Sequence, residues 1–124
     1  MSNKILIADD EPNILISLEY LMKRAGFEVL VARDGQEALD TILREQPRLV
    51  LLDVMMPKKT GLEVCHAVRA NDDCKGIQIL MLTAKGRDTD VAKGLALGAN
   101  AYVVKPFSTK DLVEKVKVML GMAA

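Results

Sequence analysis

Neither sign of charge is in excess in this chain: 17 Lys and Arg balance 17 Asp and Glu, for a formal net charge of +0. Nothing in that balance points to nucleic acid, and no acidic or basic tail is present. Cysteine is scarce. Cys65 and Cys74 are the only two, and their spacing matches no zinc or redox motif. One reads as a packed thiol and the other as lying near a loop. His66 is the single histidine. Without a second it makes a poor metal site, and it reads as a surface or boundary residue of a helix. No apolar stretch approaches the length needed to span a membrane. The start, Met1-Ser2-Asn3-Lys4, leads into a strand too short to be the apolar region of a secretion signal. The expected compartment is the cytoplasm. Repeats, linkers and low-complexity segments are also missing. What remains is 124 residues, the size of one domain and apolar enough to bury a core. That domain is expected to occupy residues 1–124.

The chain is organised around Leu49-Val-Leu-Leu-Asp53. Leu49 to Leu52 is apolar without alternation, so it reads as a strand buried on both faces, as in a parallel sheet. Met56-Pro57 then forces the chain out of regular structure. Further strands are expected at 4–8, 27–32, 77–82 and 101–104. Helices are expected between them. Pro12 suits the first turn of one whose buried face is Ile14, Leu15, Leu18, Leu21, Met22 and Ala25. Asp34-Gly-Gln-Glu37 and Thr60-Gly-Leu-Glu63 have the capping-box pattern and open helices to about Glu45 and Ala70. Asn71 to Gly76 reads as a polar loop. A weakly packed helix is expected from about Asp88 to Leu97, and Ser108 caps the last one, with Leu112, Val113, Val116 and Leu120 on its buried face. Five strands alternating with five helices imply a parallel sheet covered on both faces, joined by right-handed crossovers. The chain ends just after the last helix, so no output domain is expected within it.

In open sheets of this kind, ligands bind beyond the carboxyl ends of the strands. The first strand ends in Asp9 and Asp10, the third in Asp53, the fourth in Thr83 and the fifth in Lys105. Carboxylates brought together repel, by roughly 3 kcal/mol for a pair about 5 Å apart at an effective dielectric near 20. Lys105 offsets part of this. An all-oxygen donor set favours a hard cation such as Mg²⁺. A cation, a lysine and a hydroxyl around a carboxylate suit phosphoryl transfer, in which aspartate is a competent covalent nucleophile.

Ile-Leu-Ile-Ala-Asp-Asp-Glu (5–11), Leu-Leu-Asp-Val-Met-Met-Pro (51–57), Thr83-Ala84 and Tyr-Val-Val-Lys-Pro-Phe (102–107) together resemble the receiver domain of bacterial two-component response regulators. The resemblance covers essentially the whole chain. It implies a flavodoxin-like (βα)5 doubly wound sandwich with strand order 2-1-3-4-5. It implies a phosphorylation-dependent signalling switch rather than an enzyme, one that catalyses only its own phosphorylation and dephosphorylation. Asp53 would accept phosphate from a sensor histidine kinase or phosphotransfer protein, assisted by Thr83 and Lys105. Asp9, Asp10, Asp53 and the Met55 carbonyl would hold Mg²⁺, with Mn²⁺ as a substitute. Thr83 and Tyr102 would form a switch pair that changes the surface of the fourth helix, fifth strand and fifth helix toward a downstream effector. The resemblance also implies a cis Lys105–Pro106 bond, no direct nucleic-acid or membrane binding, and a monomer or phosphorylation-dependent homodimer. Two positions depart from the family. Lys58-Lys59-Thr60 stands where an apolar or acidic residue is common, and Ala101 stands where members that dimerise through the last helix often carry an acid.

Two other classes use related residues. Phosphohydrolases of the haloacid dehalogenase type need a second Asp two residues past the nucleophile, where this chain has Met55. A flavin-binding flavodoxin needs a first loop rich in Ser, Thr and Gly, where Asp9-Asp10-Glu11 would repel a phosphate.

Overall fold

The computed structural model describes residues 3–122. Strands β1 (Lys4–Ala8), β2 (Glu28–Ala32), β3 (Leu49–Asp53), β4 (Gln78–Ala84) and β5 (Ala101–Lys105) alternate with helices α1 (Pro12–Arg24), α2 (Gly35–Glu45), α3 (Gly61–Ala70), α4 (Asp88–Ala96) and α5 (Thr109–Met119). All strand pairs are parallel and the order is β2-β1-β3-β4-β5. This is the flavodoxin-like arrangement, and it puts β3 at the centre, with all five residues buried.

Alternation within each strand divides the core into two layers. Leu6, Ala8, Val50, Leu52, Ile79 and Met81 face Ala38 and Ile42 of α2 and Val64 and Val68 of α3. Ile5, Ile7, Leu49, Leu51, Leu80 and Leu82 face Leu15, Leu18 and Met22 of α1 and Leu112 and Val116 of α5. β1 to β4 therefore feed both layers, whereas the edge strand β5 gives Ala101 and Val103 to one layer and leaves Tyr102 and Val104 exposed. This is why the strands read as continuous apolar runs rather than as alternating patterns.

Caps fix where the helices begin. Thr60 accepts the Glu63 N–H while the Glu63 carboxylate accepts the Thr60 N–H, a complete capping box at α3. At α2 the box is offset: Asp34 accepts from the Glu37 N–H, but the Glu37 carboxylate accepts from Arg33 rather than from Asp34. Ser108 caps α5 through the Asp111 N–H.

Three expectations need adjustment. β2 begins one residue later, at Glu28. β4 begins one residue later than expected, at Gln78, and runs two residues further than its apolar run, because Thr83 and Ala84 still pair with Val104 and Lys105. The polar loop contains a short 3-10 turn, Asp72–Cys74, which buries Cys74 as fully as Cys65 in α3. His66 is exposed, as expected.

α4 is thinly packed, as its composition suggests. Its only buried positions are Asp90 and Gly94, and its N-terminus has no side-chain cap. Its far end is tied down. Arg69 of α3 donates to the Gly98 carbonyl at 2.9 Å, to the Cys74 carbonyl at 3.3 Å and to Asn100 Oδ1 at 2.8 Å. Asn100 Oδ1 also accepts the Ile79 N–H of β4 at 2.7 Å.

Candidate functional site

The sheet brings the polar strand ends to one edge. Asp9 follows β1 and is fully buried, anchored by its N–H to the Ala32 carbonyl. Asp53 ends β3 and Thr83 lies near the end of β4, both buried; Asp10 is exposed. Carboxylate oxygens of Asp9, Asp10 and Asp53 lie within 4.8 Å of one another. Lys105, at the end of β5, reaches across to them: its Nζ donates to Asp9 Oδ2 at 2.9 Å and lies 3.5 Å from Asp53 Oδ1.

Two backbone groups steady the carboxylates. The Glu11 N–H donates to Asp9 Oδ1 at 2.9 Å. The Met55 N–H makes a longer contact, 3.4 Å, to Asp53 Oδ1. These follow from the chain leaving each strand in a tight bend, so that the amide two residues on turns back toward the acid.

The electrostatics reflect crowding. Burial pushes the Asp53 carboxyl up to about 6, and the neighbouring charge of Asp9 pushes the same way, against Lys105 and the Met55 N–H. For Lys105, burial disfavours the charge, but the hydrogen bond to Asp9 and the charges of Asp53 and Asp9 outweigh it, so its pKa is raised. The ammonium is therefore firmly protonated at neutral pH, and Asp53 is mostly ionised.

The remaining sequence-predicted residues sit around this centre. The Thr83 hydroxyl makes only a long contact to the Ala84 carbonyl, 3.5 Å. The Met55 side chain is exposed. Tyr102 is 42% exposed on β5, so its ring lies partly at the surface. The Lys105–Pro106 bond is cis, as expected.

Two glycines that shape the site were read only as members of capping boxes. A Cβ on Gly61 would fall 2.3 Å from the Asp53 carbonyl oxygen, and the Gly61 N–H donates to the Val54 carbonyl at 2.8 Å. α3 thus starts directly against the end of β3. Gly35 has the same relation to the loop before α3: its Cβ would fall 1.9 Å from the Lys59 carbonyl oxygen. The signal was there, since glycine in the first turn of a helix is a poor choice unless another backbone comes close.

A family model described as the response regulator receiver domain matches residues 5–117. Among solved structures, a protein of Chloroflexus aurantiacus described as a response regulator is 37% identical, with 98% of this chain and 99% of that one covered and a TM-score of 0.91. The chemotaxis response regulator CheY4 of Vibrio cholerae is 34% identical over 95% of this chain and 98% of its own, with a TM-score of 0.88. The receiver domain of a sensor histidine kinase from Pseudomonas aeruginosa is 26% identical over 98% and 99%, TM-score 0.88, and that structure has a magnesium ion coordinated in its active-site cleft.

Proposed function

The chain belongs to the response regulator receiver domain family, and from that premise we propose that it is a switch set by phosphorylation of Asp53. Members of the family are phosphoacceptors in two-component signalling rather than enzymes in the usual sense. The observation that carries the reading for this chain is the cluster at the sheet edge. A nearly buried, mostly ionised Asp53 lies beside Asp9, Asp10 and the ammonium of Lys105.

In the proposed reaction an Asp53 carboxylate oxygen attacks the phosphorus of a phosphohistidine on a sensor kinase or phosphotransfer protein. The O–P bond forms as the P–N bond breaks, and the imidazole nitrogen leaves with the electron pair. The transferred group carries its charge on three oxygens, and holding those oxygens is most of the catalysis. Lys105 takes one and the Thr83 hydroxyl another. The all-oxygen cluster fits a hard divalent cation, with Asp9, Asp10, Asp53 and the Met55 carbonyl as its ligands and Mn²⁺ able to replace Mg²⁺. When bound, that cation supplies positive charge to the third oxygen.

The readout follows from Thr83. Drawn toward the phosphoryl group, its hydroxyl vacates space into which the exposed Tyr102 ring can turn. The surface of α4, β5 and α5 then changes toward an effector, or toward a second copy of the chain. This is a two-state bias by local charge. No described helix is long and apolar enough to cross a membrane. We take residues 1–124 to form one receiver domain, acting in the cytoplasm as its family resemblance implies.

Intact mass after incubation with a small phosphodonor and Mg²⁺ tests the assignment. The wild type gains one phosphate and Asp53→Asn gains none; equal gain in both removes Asp53 as the acceptor.

A further inference from the structure

The loop between β3 and α3 is held in a conformation that its sequence does not favour. Lys58 has φ 69°, in the left-handed region that a lysine rarely enters. The Lys59 N–H donates to the Pro57 carbonyl at 2.8 Å, closing a three-residue turn around Lys58. A turn of that kind with positive φ at its centre is the rare, strained form. Such strain persists only where the surroundings over-determine it.

Here the surroundings are the first turn of α2. The Gly35 N–H donates to the same Pro57 carbonyl at 3.2 Å. With no Cβ on Gly35, the α2 backbone lies directly against the Lys59 carbonyl. Lys58 Nζ is 3.6 Å from Asp34 Oδ2, while Asp34 Oδ1 caps α2 through the Glu37 N–H at 2.8 Å. The loop is also closed at its base, by the bond from Gly61 to Val54. Met55 lies between these two fixed points.

We propose that Asp34, Gly35 and Lys58 are positioning residues: the first turn of α2 fixes the place of the Met55 carbonyl and thereby sets how tightly the acidic cluster takes a divalent cation. This rests on the reading of Asp9, Asp10, Asp53 and the Met55 carbonyl as the cation's ligands. An exposed ion pair alone is too weak to hold a strained turn. The shared Pro57 carbonyl and the backbone contact at Gly35 carry most of the restraint, and the Asp34–Lys58 pair adds to it.

Charge alone forecasts the opposite for one of these residues. Lys58 is cationic and lies on the loop that carries a ligand, so removing its charge would tighten cation binding if attraction and repulsion were all that mattered. If position governs, removing it weakens binding.

The test is a Mg²⁺ titration of the full chain by calorimetry, with amide exchange over residues 54–61 of the metal-free protein as a second readout. Gly35→Ala weakens Mg²⁺ binding by roughly tenfold or more, the usual scale for groups that support a ligand. Lys58→Ala and Asp34→Ser, the latter keeping a capping oxygen, weaken it by roughly threefold each. Loop exchange quickens in all three. Lys58→Gly accepts a positive φ without strain and recovers most of the affinity lost in Lys58→Ala. Tighter or unchanged binding in Lys58→Ala, with unchanged exchange, overturns the proposal while leaving the cation site standing. A wild type that takes no Mg²⁺ overturns both the site and this inference. If Gly35→Ala fails to fold, the contrast between Lys58→Ala and Lys58→Gly decides.

Discussion

Lys105 bonds more closely to Asp9 than to Asp53: its Nζ is 2.9 Å from Asp9 Oδ2 and 3.5 Å from Asp53 Oδ1. One cation thus serves two carboxylates, with a third, Asp10, in reach of the same cluster. Burial first, and then the charge of Asp9, raises the pKa of Asp53 against the pull of Lys105.

The first prediction concerns pH. Folded Asp53 binds its proton up to about pH 6, against an ordinary value of 3.8. Between those values the folded state holds more protons than the unfolded chain, so stability falls as pH rises. The contribution is complete below about 4 and gone above about 6, and with solvent screening of a partly buried carboxyl it stays below about 3 kcal/mol, the full value at 1.36 kcal/mol per unit. Chemical denaturation of the metal-free protein from pH 4 to 8 shows this decline, and Asp53→Asn flattens it. A wild-type curve that rises across the same window contradicts the account. Mg²⁺ at ten times its pH 8 dissociation constant adds about 1.4 kcal/mol at pH 8, and the same concentration adds less at pH 5.

Lys105→Met separates binding from chemistry. Removing the ammonium lessens repulsion of a divalent cation, so Mg²⁺ binds at least as tightly as in the wild type. Phosphotransfer to Asp53 slows by roughly 10²-fold, as when one donor to a developing charge is lost. Stopped-flow phosphorylation and a Mg²⁺ titration on the same sample check both halves. A normal phosphorylation rate rules out a role for Lys105 in the transfer.

Phosphorylation, or a phosphoryl mimic, alters amide exchange between residues 84 and 107. The motive is the pairing of a loosely held Thr83 hydroxyl with an exposed Tyr102 and the thin packing of α4. Thr83→Ala still takes phosphate on Asp53 but loses the exchange change. Identical protection in both states of the wild type refutes the switch.

The lifetime of the phosphorylated form is expected to be long. Hydrolysis needs a water held opposite the leaving carboxylate. Met55, two residues past Asp53, is exposed, and its thioether is a weak acceptor that cannot orient that water well. Lys85, two residues past Thr83, is exposed and has donors only. Phosphate decay in the wild type is slower than in Met55→Asn with Lys85→Glu. Decay at the same rate or faster discards this explanation.

The strands and the site positions were largely legible in the sequence, because buried parallel strands are written as apolar runs and each run here stops at a polar residue. Leu49–Leu52 and Asp53 are the clearest case. The end of β4 was less legible: the polar Thr83 interrupts the apolar run, and only the pairing of Thr83 and Ala84 with Val104 and Lys105 keeps them in the strand. Cys74 was hidden for a related reason, since a polar stretch gave no sign that its turn would fold inward. Lys58 was invisible in kind. Nothing in a lysine announces positive φ, and the cause lies in α2, more than twenty residues earlier. Tyr102 came from resemblance alone, because an exposed tyrosine on an edge strand has no pattern of its own.

The ties of Arg69 to Gly98 and Asn100 give α4 unequal ends. A nine-residue helix is about 13 Å long at 1.5 Å per residue. Fixed at one end and without a side-chain cap at the other, it would act as a lever whose fulcrum is Gly98 and whose less restrained end is Asp88. Tilting such a lever by about 10° moves the tip by roughly 2 Å on that 13 Å arm while the fulcrum hardly stirs. In the proposed switch, a small displacement beside Thr83 would be delivered as an angle rather than a shift, and a partner resting on α4 would feel it most at the end nearest the acids.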